Sequence, residues 1–176
     1  EALCRAGVAA VVDARGRVHP EVADATARLA RVLGAQRRFD LAESEHRRVV
    51  AVREKALGPE HPQVANALEE LAMAQVSGTR LVYAEESMRR ALAIREAALG
   101  PGDPAVGDAL YNLARLQQDK GQHEEAIDLL RRCCGVREAA LEDGDPLVGE
   151  ALAALAGSLV VVGEVGEGLP TVERAL

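Results

Sequence analysis

The sequence predicts an all-α solenoid, with four helix pairs following one leading helix. Three observations carry this. Proline recurs at Pro20, Pro62, Pro104 and Pro146, each 42 residues after the last. Apolar columns keep the same step: Val22, Val64, Val106 and Val148, then Leu29, Leu71, Leu113 and Leu155, each of these leucines followed by alanine. The 176-residue chain is also 48% apolar and 28% charged, too apolar for disorder. Self-similarity at a fixed period of this length is the mark of stacked supersecondary units.

The elements follow in order. Arg5 falls under Arg47 and Arg89, and Gly16 under Gly58 and Gly100. Residues 1–18 therefore read as the second helix of a truncated leading repeat, and the chain as a piece of something longer. Repeats occupy 19–60, 61–102 and 103–144, with a degenerate, truncated repeat over 145–176. Each proline suits the first helical position, where a missing N–H is no loss. Asp103 and Asp145 before it are good caps, His19 and His61 weaker ones. First helices of about 15 residues are expected. They break at Gly34-Ala35, Ser77-Gly78, Lys120-Gly121 and Gly163. Second helices then run to Leu57, Leu99 and Leu141, with Gly58 and Gly100 as left-handed stops. Gly166, Gly168 and Pro170 disfavour the last second helix.

The stretch from Ala51 to Ala65 (AVREKALGPEHPQVA) resembles the tetratricopeptide repeats of kinesin light chain. So do Ala91–Gly100 (ALAIREAALG) and Leu110–Ala114 (LYNLA). The likeness spans essentially the whole chain, departing mainly at Gly168 and Pro170. It implies a right-handed superhelix of tetratricopeptide helix pairs that binds partners. Repeats of this kind also occur in signalling proteins.

Helical periodicity separates two faces. Counting from Ala23, Ala65, Gly107 and Gly149, positions 4, 7, 8 and 11 form the seam of each pair, as with Leu110, Leu113, Ala114 and Gln117. On second helices, Ala42, Ala84 and Ala126 do the same, joined by Met88, Leu130, Ala91 and Cys133. The opposite side is expected to line a concave groove. Its candidate partner-binding residues are Asp24, Arg28, Arg31, Asn66, Glu69, Glu70, Met73, Asp108, Tyr111, Asn112, Arg115 and Gln118. They vary while the seam holds, so specificity can be written there. Arg31 and Arg115 suit carboxylates of an extended peptide, Asn66 and Asn112 its backbone, and Tyr111 supplies an aromatic anchor. The competing reading has Arg28 and Arg31 neutralising Glu69 and Glu70. The carboxylate clamp of some tetratricopeptide domains is incomplete here, because Ala27 and Gly157 interrupt it.

Other chemistry is set aside. The net charge of -7 argues against nucleic acid, which needs a basic face. No apolar run reaches membrane-spanning length. Cys4, Cys133 and Cys134 give neither a disulfide framework nor zinc spacing, so a reducing cytoplasmic setting and structural thiols are expected. His46 falls on the column of Met88 and Leu130 and reads as partly buried, while His123 opens a second helix and reads as exposed. Arg47-Arg48, Arg89-Arg90 and Arg131-Arg132 read as a solvated lattice, with Glu43, Glu85 and Glu86 four residues before Arg47, Arg89 and Arg90. Gly163 to Gly168 contains spaced glycines but follows a helix, so it is no phosphate cradle. No catalytic set, cofactor or metal is expected.

The expected function is a protein interaction scaffold or adaptor, holding a peptide or helix of a partner, with acidic residues, in the groove. Alternatives are a regulatory arm of a larger signalling protein, or self-association through terminal repeats, where Val160, Val161 and Val162 stand near the end.

Overall fold

The computed structural model describes residues 1–142 and 144–175. Leu176 of the fourth repeat lies outside the described residues. The helices are α1 (Ala2–Arg15), α2 (Pro20–Ala35), α3 (Phe39–Leu57), α4 (Pro62–Ser77), α5 (Leu81–Leu99), α6 (Pro104–Asp119), α7 (His123–Ala140), α8 (Pro146–Val161) and α9 (Val165–Ala175). Two compact units emerge, Glu1–Ile94 and a second from Arg95 onward. In the first, α1 packs on α2, α2 on α3 and α3 on α4. In the second, α6 packs on α7, α7 on α8 and α8 on α9.

Each core follows the repeat columns. Val22, Ala23, Val49, Val64, Ala65, Leu68 and Ile94 close one cluster of the first unit. Leu110, Leu113, Leu130, Cys133 and Leu159 are fully buried in the second. Small residues at the seam let helix backbones approach. At Gly107 an added Cβ would lie 3.3 Å from both Val136 and Arg137 side-chain atoms.

The first helix of every pair starts alike. His19 and His61 accept from the backbone N–H groups of Glu21 and Gln63 through Nδ1, at 3.3 and 3.2 Å. Asp103 and Asp145 accept from those of Ala105 and Leu147 through Oδ1, at 2.9 and 2.8 Å. Two residue types thus satisfy the same orphan donor of a helix N-terminus.

The turns of the first two pairs differ from the sequence expectation, while the breaks at Lys120-Gly121 and Gly163 fall where expected. Helix α2 continues through Gly34 and Ala35, and the reversal comes at Arg37 (φ 61°). Thr79, Gly121 and Gly163 repeat it, each 42 residues on, at φ 61°, 73° and 89°. The following N–H then bonds back to the last turn, as from Arg38 to the Leu33 carbonyl (3.0 Å) and from Arg80 to that of Gln75 (2.8 Å). That closure demands a left-handed residue whatever its side chain, so arginine and threonine occupy a glycine conformation.

Three further corrections concern helix ends. Gly58 has positive φ as expected, but its ψ of 153° is extended rather than left-handed helical. Helix α7 ends at Ala140, one residue before Leu141. The last second helix forms despite its composition, with Pro170 inside it. Gly168 stands where other repeats have alanine, and its missing Cβ allows close contact: a Cβ would meet Val160 Cγ2 at 3.2 Å. The Thr171 hydroxyl also donates to the Glu167 carbonyl at 2.8 Å.

Candidate partner-binding surface

In the first unit, α2 presents Asp24, Arg28 and Arg31 to solvent, and α4 presents Asn66 and Met73. Glu69 and Glu70 are half-buried. Met73 is 66% exposed, a large apolar side chain that the core does not use. Between α2, α3 and α4 lies a cavity of about 380 Å³. Arg31, Glu70 and Met73 line it together with Phe39, Ala42 and His46. Three of the expected groove residues therefore share one concavity.

His46 is only 5% exposed. Its Nδ1 stands 3.7 Å from Glu70 Oε2, too far for a hydrogen bond. Both atoms are buried without a hydrogen-bond partner. Burial holds the imidazole pKa below its ordinary value; the Glu70 carboxylate opposes this and Arg31 adds to it. The competing reading of the sequence paired Glu70 with an arginine, but the basic side chain within 4 Å of Glu70 Oε2 is the His46 imidazole.

In the second unit several expected groove residues have partners within the fold. Asp108 accepts from Arg137 Nη2 at 2.9 Å. Gln118 donates to the Ala154 carbonyl at 3.0 Å and to Ser158 Oγ at 2.7 Å, tying α6 to α8. Arg115 donates to the Tyr111 hydroxyl at 3.4 Å, the leading cause of its raised pKa; Asp119 and Glu150 add to it. The Tyr111 ring lies under the Arg137 guanidinium, 4.8 Å from its centroid. Asn112 is exposed.

The sequence reading missed a column of arginines. Arg53, Arg95 and Arg137 stand 42 residues apart near the ends of α3, α5 and α7. Each donates to a carbonyl near the start of the next helix: Gln63 (3.0 Å), Ala105 (2.9 Å) and Leu147 (2.6 Å). Arg53 also reaches Asp24 at 3.2 Å. Their spacing was available as a signal. Charged residues draw attention as surface groups, and only the contacts reveal these as ties between successive pairs.

The other arginines behave as a lattice with an additional rule. Arg47 pairs with Glu43 at 2.8 Å and Arg89 with Glu85 at 2.9 Å, four residues apart. Arg90, however, reaches Glu54 at 2.6 Å rather than Glu86. Arg132 reaches Glu96 at 2.5 Å, the same offset of 36 residues. His123 is half-buried rather than exposed. All three cysteines are free, and Cys133 and Cys134 are buried. Burial pushes the Cys133 thiol pKa up, and its Sγ donates to the Gly107 carbonyl at 3.3 Å. Among the described residues no group of His, Cys, Asp and Glu could hold a metal. Among them, too, no helix is long and apolar enough to cross a membrane.

The tetratricopeptide repeat family matches residues 21–81 and 80–139. No curated protein matches the sequence. Among solved structures, the chain is similar to a kinesin light chain from Podosopora anserina with nearly identical tetratricopeptide-like repeats. Identity is 26% and the TM-score 0.85, over 98% of this chain and 82% of that one. BtubC (BKLC) from P. vanneervenii shares the fold at 20% identity and TM-score 0.80, over 89% and 63% of the two chains. MamA shares it at 16% identity and TM-score 0.69, over 98% and 79%.

Proposed function

The chain belongs to the tetratricopeptide repeat family, with repeats of the kinesin light chain type, and from that premise we propose that it is an adaptor capturing an extended segment of a partner protein. Family membership supports a protein interaction module. The surface of α2 and α4 supports the finer reading, and one observation carries it. Arg28, Arg31 and Met73 are exposed on that face, and Met73 and Arg31 border a cavity that the core leaves open. Arg31 makes no ion pair among the described residues, so its guanidinium is available to a carboxylate of the partner. The mechanism is preorganisation. Paired helices hold these groups in place before the partner arrives, so little ordering of the receptor opposes binding. Three free thiols favour a reducing compartment, consistent with a cytoplasmic adaptor.

The test is direct. Peptides are selected from a random linear library by the whole chain, then measured by fluorescence anisotropy. The Arg28→Glu, Arg31→Glu double variant is expected to weaken them at least tenfold, and Arg132→Glu on α7 is expected to leave them unchanged. Equal binding to wild type and double variant overturns the groove reading.

A second reading rests on the last pair. Val160, Val161 and Val165 are 49%, 63% and 47% exposed there. Such a cluster supports self-association through the terminal repeat. Light scattering over a range of concentrations tests it, and a strict monomer rules it out.

A further inference from the structure

Helix α1 exposes a face that the other second helices keep covered. In the second unit, α6 and α7 form an antiparallel hairpin through a short turn. Three α7 residues meet the start of α6. The Cys133 Sγ reaches the Gly107 carbonyl at 3.3 Å, and a Cβ added at Gly107 would lie 3.3 Å from side-chain atoms of Val136 and Arg137. Three steps of the 42-residue repeat carry these positions back to Gly7, Ala10 and Val11 of α1, and carry Leu129 back to Leu3.

Burial separates the members of each column. Val49, Ala91 and Cys133 are fully buried, whereas Gly7 is exposed and a Cβ there would meet nothing within 4 Å among the described residues. Val52 and Ile94 are buried, but Ala10 is exposed. Leu129 is 8% exposed and Leu3 is 88% exposed. The other flank of α1 is settled, since Val8 is buried and the helix packs on α2. Helical spacing puts Leu3, Ala6, Gly7, Ala10 and Ala14 on the side away from Val8, with no charge among them.

We propose that this face docks an amphipathic helix of a partner protein, laid antiparallel to α1 as α6 lies to α7. The covered columns name the occupant. In the complete pairs these positions are closed by a helix with a Leu-Ala seam, such as Leu29-Ala30 or Leu113-Ala114. Leu3 is the large anchor on the α1 side, and Gly7 and Ala10 leave room for leucines of the incoming helix. An extended segment would lay unpaired backbone N–H and C=O groups on this apolar surface, whereas a helix satisfies its own. One difference sets the specificity. Arg53 and Arg137 hold Asp24 and Asp108 of their first helices, and Val11 stands at that position in α1. A helix docked on α1 therefore needs an apolar residue where α6 has Asp108. This surface is separate from the face of α2 and α4 and does not depend on the groove reading.

The experiment uses the full chain and a labelled peptide of the α6 sequence, residues 104–119, held helical by a lactam bridge on its polar face. Fluorescence anisotropy is expected to show saturable binding. A peptide with Asp108→Ala is expected to bind at least threefold tighter, and one with Leu113→Glu at least tenfold weaker. In the chain, Leu3→Glu with Ala10→Glu is expected to weaken binding at least tenfold at unchanged helicity, because both residues are exposed. Gly7→Arg should weaken it as well; it fills the seam while favouring the helix, so unfolding cannot explain its loss. Val161→Glu on α8 is expected to have no effect. Absence of saturable binding, or binding indifferent to the α1 variants, overturns the proposal. Loss with Val161→Glu alone places the helix on the last repeat and also overturns it. A chain dimer in sedimentation that the α1 variants dissociate would show that a second copy covers the face, and would overturn it too.

Discussion

Arg137 donates to Asp108 at 2.9 Å, joining residues 29 apart in sequence, and Arg53 and Asp24 repeat the pair at the same offset. A guanidinium fork binds a helix-start carbonyl with one arm and a carboxylate with the other. Lysine has a single head and cannot lie flat on Tyr111. Arg137→Lys is therefore expected to cost about 2 kcal/mol in urea unfolding. Arg53→Lys should cost less, since the Arg53 side chain is 14% exposed against 3% for Arg137. Equal losses at both sites would count against the burial argument.

Thr79 holds φ 61°, a conformation that a β-branched side chain resists. Thr79→Gly relieves that strain, and about 1 kcal/mol of stabilisation is expected. Thermal unfolding should show a midpoint a few degrees higher, roughly 2–4 °C for a chain of this size. A lower midpoint would mean that the Thr79 hydroxyl, which donates to the Gly78 carbonyl at 2.7 Å, outweighs the strain.

His46 predicts a pH dependence. Burial lowers its folded pKa below the unfolded value of 6.5; Glu70 resists the shift and Arg31 reinforces it. The unfolded chain then binds the proton more readily than the native one. This contribution to stability is complete above pH 6.5 and is lost as pH falls from there through the folded pKa. Chemical denaturation of wild type and His46→Leu between pH 5 and 8 isolates the effect. Wild type should lose stability relative to His46→Leu as pH falls, and a constant difference would contradict it.

The thiols predict a labelling order. Cys4 is partly exposed, while Cys133 and Cys134 are buried and the Cys133 pKa is raised. A thiol reagent at pH 8 should modify one cysteine quickly and two only on unfolding. Fast labelling of all three would mean that α7 opens readily.

The fold was legible because packing repeats. Pro20, Leu29 and Ala30 recur in register, and each repeat must bury the same face against its neighbour. Turn geometry was less legible, because Arg37 and Thr79 occupy a left-handed position without the glycine that signals it. Helix α9 was hidden for the opposite reason. Gly168 and Pro170 are poor helix formers, and tertiary contact with α8 overrides their local preference. At the candidate surface the sequence placed Arg31, Glu70 and Met73 on one face. It did not assign Asp24, Asp108 and Gln118 to partners within the fold, because those partners lie 29 to 40 residues away in sequence. His46 appeared as a tolerated core residue. Only its geometry against Glu70 sets it apart from Met88 and Leu130.

The most direct test of partner recognition on the α2 and α4 face is amide chemical-shift mapping with a library-selected peptide. Saturable shifts gathered around Arg31, His46, Glu70 and Met73 are expected. Shifts confined to the arginine lattice of α3 and α7, or to the valines around α9, would contradict it.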